Sequence, residues 1–197
     1  MPKVSDQYRR ERRAEIAGAA LRCFARSGFD GTSIADIIAE SGLSAGAIYG
    51  HFTSKTEIIH AAVAELLSRR VEDVTRVMNA PHPDPPGDLI AKFLKGLRTE
   101  VGGSSVLVQL WASASTNLEL RRLAAGIATT VGTAFTQYLS AWYRKEGGLS
   151  PNEADYRARR EATVCIGLTQ GYIVQSAIFE GFDGDAYLAA VSELFAR

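Results

Sequence analysis

Cysteine is nearly absent from this 197-residue sequence: Cys23 and Cys165 stand far apart inside helical patterns, with no C-x-x-C spacing. That excludes a disulfide framework and a zinc knuckle, and both thiols are expected to be small core residues. Histidine is almost as rare, and His51, His60 and His82 show no spacing suited to sharing a metal. There is no G-x-S-x-G elbow and no phosphate-binding loop, and Cys165 has no histidine near it in sequence. An enzyme is therefore not expected, and neither a cofactor nor a metal. No apolar run reaches the roughly 18 residues needed to cross a bilayer. Met1 to Gly28 lacks the basic, apolar and small-residue succession of a signal peptide, so a cytoplasmic protein with no membrane partner is expected. Net charge is absent too, with 22 basic against 22 acidic side chains, which removes the overall basic excess of a simple nucleic-acid binder. Finally, no stretch alternates apolar and polar with the period of two that marks a half-buried strand.

What remains is 46% hydrophobic and 22% charged, the composition of a globular chain, with its charge unevenly placed. Residues 1–29 hold seven basic side chains (Lys3, Arg9, Arg10, Arg12, Arg13, Arg22, Arg26) against three acidic ones, concentrating positive charge at one end. A solvated face of the first helix is the plain alternative reading of that cluster. Apolar residues recur at helical spacing nearly throughout, so the fold is expected to be all-α. The first helix carries Ile16, Ala20, Leu21, Cys23 and Phe24 on one side and stops at Ser27-Gly28. Ser33 with Asp36 forms a capping box for a short helix bearing Ile34, Ile37 and Ile38, which stops at Ser41-Gly42. Ser44 caps a third helix whose inward stripe is Ile48 and Phe52, and Ser54 with Glu57 caps a fourth that runs to Met78. Four prolines between 81 and 86 make the best internal boundary, with the fourth helix as a connector. Beyond them helices are expected at about 88–101, 104–115, 117–145, 151–180 and 184–196, making about nine in all. Apolar residues spread round most of the eighth, so more than one partner must cover it.

The stretch SGLSAGAIYGHF, residues 41–52, departs from a design for stability alone. A helix that opens on Ala45, Gly46 and Ala47 and carries Gly50 gives up about 1 kcal/mol per glycine relative to alanine. A short helix, a turn at Gly42 and a second short helix match the helix-turn-helix unit, whose second helix lies in the major groove. Small residues there let the backbone and the positive helix end approach phosphates and base edges, while Tyr49 and His51 reach the DNA backbone and Lys55 adds a charge in the next helix. Spacing alone equally fits a small helical hairpin packed by Ile34, Ile38, Ile48 and Phe52.

The run Phe29-Asp30-Gly31-Thr32-Ser33-Ile34, with Ser41-Gly42-Leu43-Ser44, Gly46, Ile48-Tyr49, His51-Phe52, Ser54-Lys55 and Glu57, resembles the N-terminal domain of TetR-family transcriptional regulators over about residues 10–60. Residues 110–182 are similar, more weakly, to the C-terminal domain of the BetI-type branch. The resemblance implies an N-terminal three-helix bundle with a helix-turn-helix DNA-binding domain at 1–53 and a helical ligand-binding and dimerisation domain at 54–197, with helix 54–79 connecting them. It places Thr32, Ser44, Tyr49, His51 and Lys55 at phosphate-contacting positions and Ala45, Gly46, Ala47 and Gly50 on the groove-facing surface, with Ser33 beside them. Gly50 stands where the family often has a larger residue, so base reading by hydrogen bonds is expected to be sparse. Thymine methyl contacts from Ala45 or Ala47, entry of Arg9 to Arg13 into a minor groove, or DNA deformability would then supply specificity.

The function implied is that of a ligand-responsive transcriptional repressor, a homodimer on a palindromic double-stranded DNA operator. Gly167 and Gly171, four apart on the eighth helix, would let two helices approach across a two-fold axis, or else accommodate a bulky neighbour within one subunit. Trp111, Thr130, Thr133, Tyr138, Thr169, Tyr172 and Gln175 are expected to line a pocket for a neutral or amphipathic small-molecule effector. Gln109 belongs to the same polar set. Effector binding would tilt the fourth helix and release the operator. An enzyme, or a helical dimer that binds a protein partner, is the competing class, and the second leaves residues 29–57 unexplained.

Overall fold

Most of the helices begin where the sequence supplies a side-chain acceptor or a proline. The computed structural model describes residues 6–100 and 102–195, and among them lie nine helices and no strand: α1 (Asp6–Gly31), α2 (Ile34–Ser41), α3 (Ala45–Tyr49), α4 (Lys55–Met78), α5 (Pro86–Thr99), α6 (Gly103–Ala114), α7 (Leu118–Lys145), α8 (Pro151–Ile178) and α9 (Gly184–Leu194). The sequence-predicted Lys3 lies outside the described residues. Ser33 Oγ accepts from the Asp36 amide at 3.1 Å while the Asp36 carboxylate accepts from the Ser33 amide at 2.7 Å, the reciprocal box expected there. Asn117 Oδ1 accepts from Glu119 and Leu120 at 2.9 and 3.1 Å, and Asp183 caps α9 through the Ala186 amide at 2.9 Å. Helix α5 starts at Pro86, two residues before the expected position, because a proline in the first turn gives up an amide that has no partner there anyway.

Two glycines shape the N-terminal unit. Gly28, at φ 74°, breaks α1 and folds Phe29 back so that its ring meets the edge of Phe24 at 4.9 Å. Gly42, at φ 68°, closes α2 in the left-handed conformation, its amide donating to Ile38 O at 3.1 Å. A core of Ile16, Ala20, Phe24, Ile37, Ile48 and Phe52 fills the space between α1, α2 and α3. It continues without interruption along Ile58, Ala62 and Leu66 of α4 into the C-terminal helices. Helix α4 packs on α1, on α7 and on α5.

The C-terminal half is organised by the α7–α8 hairpin, turned at Gly147-Gly148. Ala154, Ala158, Ala162 and Cys165 form a buried small-residue seam along α8. Phe93, Leu97, Leu107, Leu110 and Phe135 fill the interior, and α9 lies on α5. Burial pushes the Cys165 thiol up to about 12 and raises Cys23 as well, leaving both as neutral packing groups. One face of α8 stays uncovered in the single chain, with Val164 and Tyr156 50% and 61% exposed. No helix among the described residues is long and apolar enough to cross a membrane.

Candidate nucleic-acid interface and effector groove

Ile48 is the only buried residue of α3; it seats the helix against Ile37 and Phe52 and thereby fixes which side faces out. Ala45, Gly46, Tyr49 and Gly50, one turn apart on that outer side, are all exposed, Tyr49 by 57%. Ala47 and His51 are half-buried. Ser44 is exposed and accepts from the Ala47 amide at 3.2 Å, so its hydroxyl caps α3. A Cβ on Gly46 would meet nothing closer than Ser44 Oγ at 4.0 Å, so the space beyond it is open to an incoming surface. Lys55 opens α4 half-buried, with Ser54 Oγ accepting from the Glu57 amide at 3.1 Å.

Other expected contact residues are used differently. Thr32 is 2% exposed and donates its hydroxyl to Gly28 O at 2.7 Å, which stabilises the turn after the α1 break rather than facing outward. Ser33 is exposed, but its hydroxyl is engaged with Asp36. The arginine cluster divides. Arg22 and Arg26 hold Glu40 at 2.6 and 3.2 Å and keep its carboxyl below the usual range. Arg12 pairs with Glu15 at 2.5 Å and donates to the Tyr8 hydroxyl at 3.1 Å. Arg13 donates to His51 O and to Glu57 at 3.1 Å, and its guanidinium lies over the Phe52 ring at 4.1 Å. Glu57 also accepts from the Thr53 amide at 2.8 Å; that bond first, and Arg13 after it, lower its pKa. Arg9 and Arg10 remain exposed, without an ion pair to another described residue. The cluster is therefore partly scaffold: Arg13 welds α1 to the end of α3 and the start of α4.

In the C-terminal half a groove of about 700 Å³ runs between α4 and α7, walled by Leu67, Val71, Leu123, Ile127 and Val131. It exists because small residues face each other one turn apart on both helices, Ala64 and Ser68 on α4, Gly126 and Thr130 on α7. His60, Glu72 and Arg122 add polar groups to its lining. Of the seven residues expected to line a pocket, only Thr130 is there, its hydroxyl donating to Gly126 O at 3.0 Å.

The rest scatter. Trp111 and Thr169 border a separate core cavity of about 50 Å³, Thr169 donating to Cys165 O at 2.8 Å. Tyr138 is wholly buried and donates to Asp84 O, tying α7 to the proline segment. Thr133 is exposed. Tyr172 borders a third depression beside Arg98, and Gln175 is half-buried away from all three. Residues spread round three helices do not converge, and helical hydroxyls satisfy themselves on the carbonyl one turn back. Gln109 points away from all of these towards α1. The sequence signal for the groove was smallness on two facing helices, not polarity.

The two α8 glycines also separate. Gly167 has open space where a Cβ would lie, whereas at Gly171 the Tyr187 hydroxyl of the same chain stands 3.1 Å from that point, donating to Leu168 O at 2.8 Å. Gly171 thus makes room for α9 of its own chain.

Residues 16–62 match the family described as bacterial regulatory proteins, tetR family. The HTH-type transcriptional repressor AcnR of Corynebacterium jeikeium is 38% identical over 72 residues, 36% of this chain and 38% of that protein, so the chain matches about two-fifths of that relative's length. Over nearly the whole chain the fold is that of GusR from Salmonella enterica (TM-score 0.71, 20% identity, 98% of this chain and 96% of that one). It is equally that of FadR from Bacillus subtilis, solved in complex with stearoyl-CoA (TM-score 0.70, 19% identity, 92% and 96%). None of these matches supports the BetI-type likeness of residues 110–182.

Proposed function

We propose that this chain, a member of the TetR family of bacterial regulatory proteins by its residues 16–62, is a transcriptional repressor that binds duplex DNA as a homodimer and is released by a small-molecule effector. The observation that carries this reading is the outer side of α3. A helix seated by one buried isoleucine presents Ala45, Gly46 and Gly50 to open space, with Tyr49 and Lys55 beside them. In a major groove that bare surface meets base edges, including thymine methyls, while the phenol of Tyr49 and the ammonium of Lys55 meet phosphates. Ser44 and His51 stand near enough in the chain to add backbone contacts, and Arg9 and Arg10 are the cations of α1 left free for a neighbouring groove. The DNA-binding unit is residues 1–53, and α4 serves it and the C-terminal domain alike.

One such unit touches too few base pairs for specificity, and two-fold pairing sets half-sites about 34 Å apart or a multiple of it. The uncovered face of α8, with Tyr156, Val164 and Gly167, is the surface for that pairing. The effector site is the α4–α7 groove, whose apolar walls and few polar groups suit an amphipathic molecule with one hydrogen-bonding end. A molecule wedged between α4 and α7 would push on the helix whose first turn is bound to α3 through Arg13 and Glu57. Ligand and operator then oppose each other by linkage, typically with about 1–3 kcal/mol of coupling.

The test is selection of duplexes from a random pool by the purified protein, followed by binding of the recovered sequence across a salt series, alongside DNA flanking its coding gene. A two-fold symmetric consensus bound by a dimer is expected. Recovery of no preferred sequence would overturn the reading.

A further inference from the structure

The break in α1 leaves backbone groups that the helix itself no longer serves. Beyond Gly28 the Phe29 amide has lost its place in the helical ladder, and one turn back the Phe24 carbonyl lies at the end of the regular helix. Both meet one side chain from the other half of the molecule, eighty residues on. Gln109 Oε1 of α6 accepts from the Phe29 amide at 3.0 Å, and Gln109 Nε2 donates to Phe24 O at 3.4 Å. A second contact of the same two helices lies beside it: a Cβ on Gly102, just before α6, would fall 2.5 Å from Ala25 Cβ, so the backbones are as close as glycine allows. From the clamped turn the chain of bonds continues outward, because Thr32 donates to the Gly28 carbonyl and Ser33 caps α2.

We propose that Gln109 is a positioning residue that fixes the angle between the helix-turn-helix unit and the body of the protein, as a second strut beside α4. The inference rests on the DNA-binding reading above and adds to it. A single connector, α4, would leave the unit free to swivel about that helix; a two-pronged clamp on α1, off the α4 axis, removes that rotation. In a dimer the angle of each unit sets the separation and relative rotation of the two α3 helices, and hence the half-site spacing that both can occupy at once. Gln109 touches no base or phosphate in this arrangement, so its loss acts on spacing and leaves base preference alone.

The experiment uses the full-length protein and the duplex it selects from a random pool, rebuilt with one base pair added to or removed from the centre. One base pair shifts a half-site by about 3.4 Å and about 35°. For Gln109→Met, which keeps the bulk and loses both hydrogen bonds, the preference of the wild type for the selected spacing should shrink about five- to tenfold, the size expected for one or two net hydrogen bonds. The pool selected by the variant should carry the same half-site bases with mixed spacing. Gln109→Ala should behave alike. An unchanged spacing preference in a folded variant overturns the proposal, as does a changed half-site consensus, which would put Gln109 at the DNA. Amide hydrogen exchange of the wild type supplies a reading that needs no variant: Phe29 should be protected like the centre of α1, and free exchange there refutes the clamp. If the wild type selects no sequence at all, it is the DNA-binding reading that fails, while the exchange result still judges the clamp.

Discussion

Replacing Arg13 with alanine separates a scaffold role from a DNA contact. Three interactions go together: the bond to His51 O, the ion pair with Glu57 at 3.1 Å and the stacking over Phe52 at 4.1 Å. The ion pair is 39% and 36% exposed on its two sides, so solvent screening reduces it to about 0.5 kcal/mol. The bond to the carbonyl is worth about 1 kcal/mol net and the stacking about 0.5 kcal/mol. A loss of about 2 kcal/mol lowers Tm by about 4–8 °C in a chain of this size. Because Arg13 is turned inward, the slope of log K against log salt for DNA binding should stay at its wild-type value even as affinity falls. Arg13→Lys keeps a charge but loses the fork and the flat stacking surface, and should recover less than half of the stability. Thermal unfolding by circular dichroism and fluorescence anisotropy across a salt series measure both quantities. An unaltered Tm together with a slope reduced by about 0.9 would refute the argument, since that is the signature of a lost phosphate contact.

Lys55→Ala should show the opposite pattern, weakening selected and random duplexes alike and reducing the slope by about 0.9 with little change in Tm; an unchanged slope removes Lys55 from the interface. Gly126→Leu places a side chain in open space within the α4–α7 groove. The helix should gain about 0.5–1 kcal/mol and operator affinity should persist, while a compound that releases DNA from the wild type loses at least tenfold in potency; undiminished release would move the effector site elsewhere. Val164→Arg puts a charge on the uncovered face of α8 and should shift the molecule to monomer by light scattering, and a dimer of undiminished strength would place the two-fold contact on another surface. Acid should weaken the tie that Glu57 makes in the N-terminal unit. The Glu57 carboxyl is held below its ordinary value of 4.5, by the Thr53 amide foremost, so its contribution is complete above pH 4.5 and fades as pH falls through the lower folded value. The stability difference between wild type and Glu57→Gln should accordingly be constant above that pH and narrow below it, and a difference that is flat throughout the acid limb would contradict the assignment.

Much of the architecture was legible because it is written in local chemistry. The capping residues Ser33, Ser44 and Ser54 satisfy amides within three residues of themselves, so their effect needs no knowledge of the rest of the chain. The same holds for Gly42, whose left-handed turn is closed by its own α2, and for the Ile48 and Phe52 stripe that turns Tyr49 outward. Thr32 is a different case: its hydroxyl is committed to the Gly28 carbonyl beside the break in α1, a conformation that spacing alone does not reveal. The C-terminal polar residues illustrate the same limit. Each sits at a helical position that spacing alone cannot distinguish from its neighbours, and their scatter between a groove, a small cavity and the surface follows from helix rotation set by packing.

Local chemistry was enough to place the helices, most of their starts and the outward side of α3, because caps, turn glycines and apolar periodicity act over three or four residues. Which arginines serve as scaffold, where a groove opens between α4 and α7, and that Gln109 grips α1 emerge only from packing. The pairings of Arg22, Arg26, Arg13 and Gln109 bring together groups 14 to 85 residues apart, and nothing local to either partner encodes the meeting.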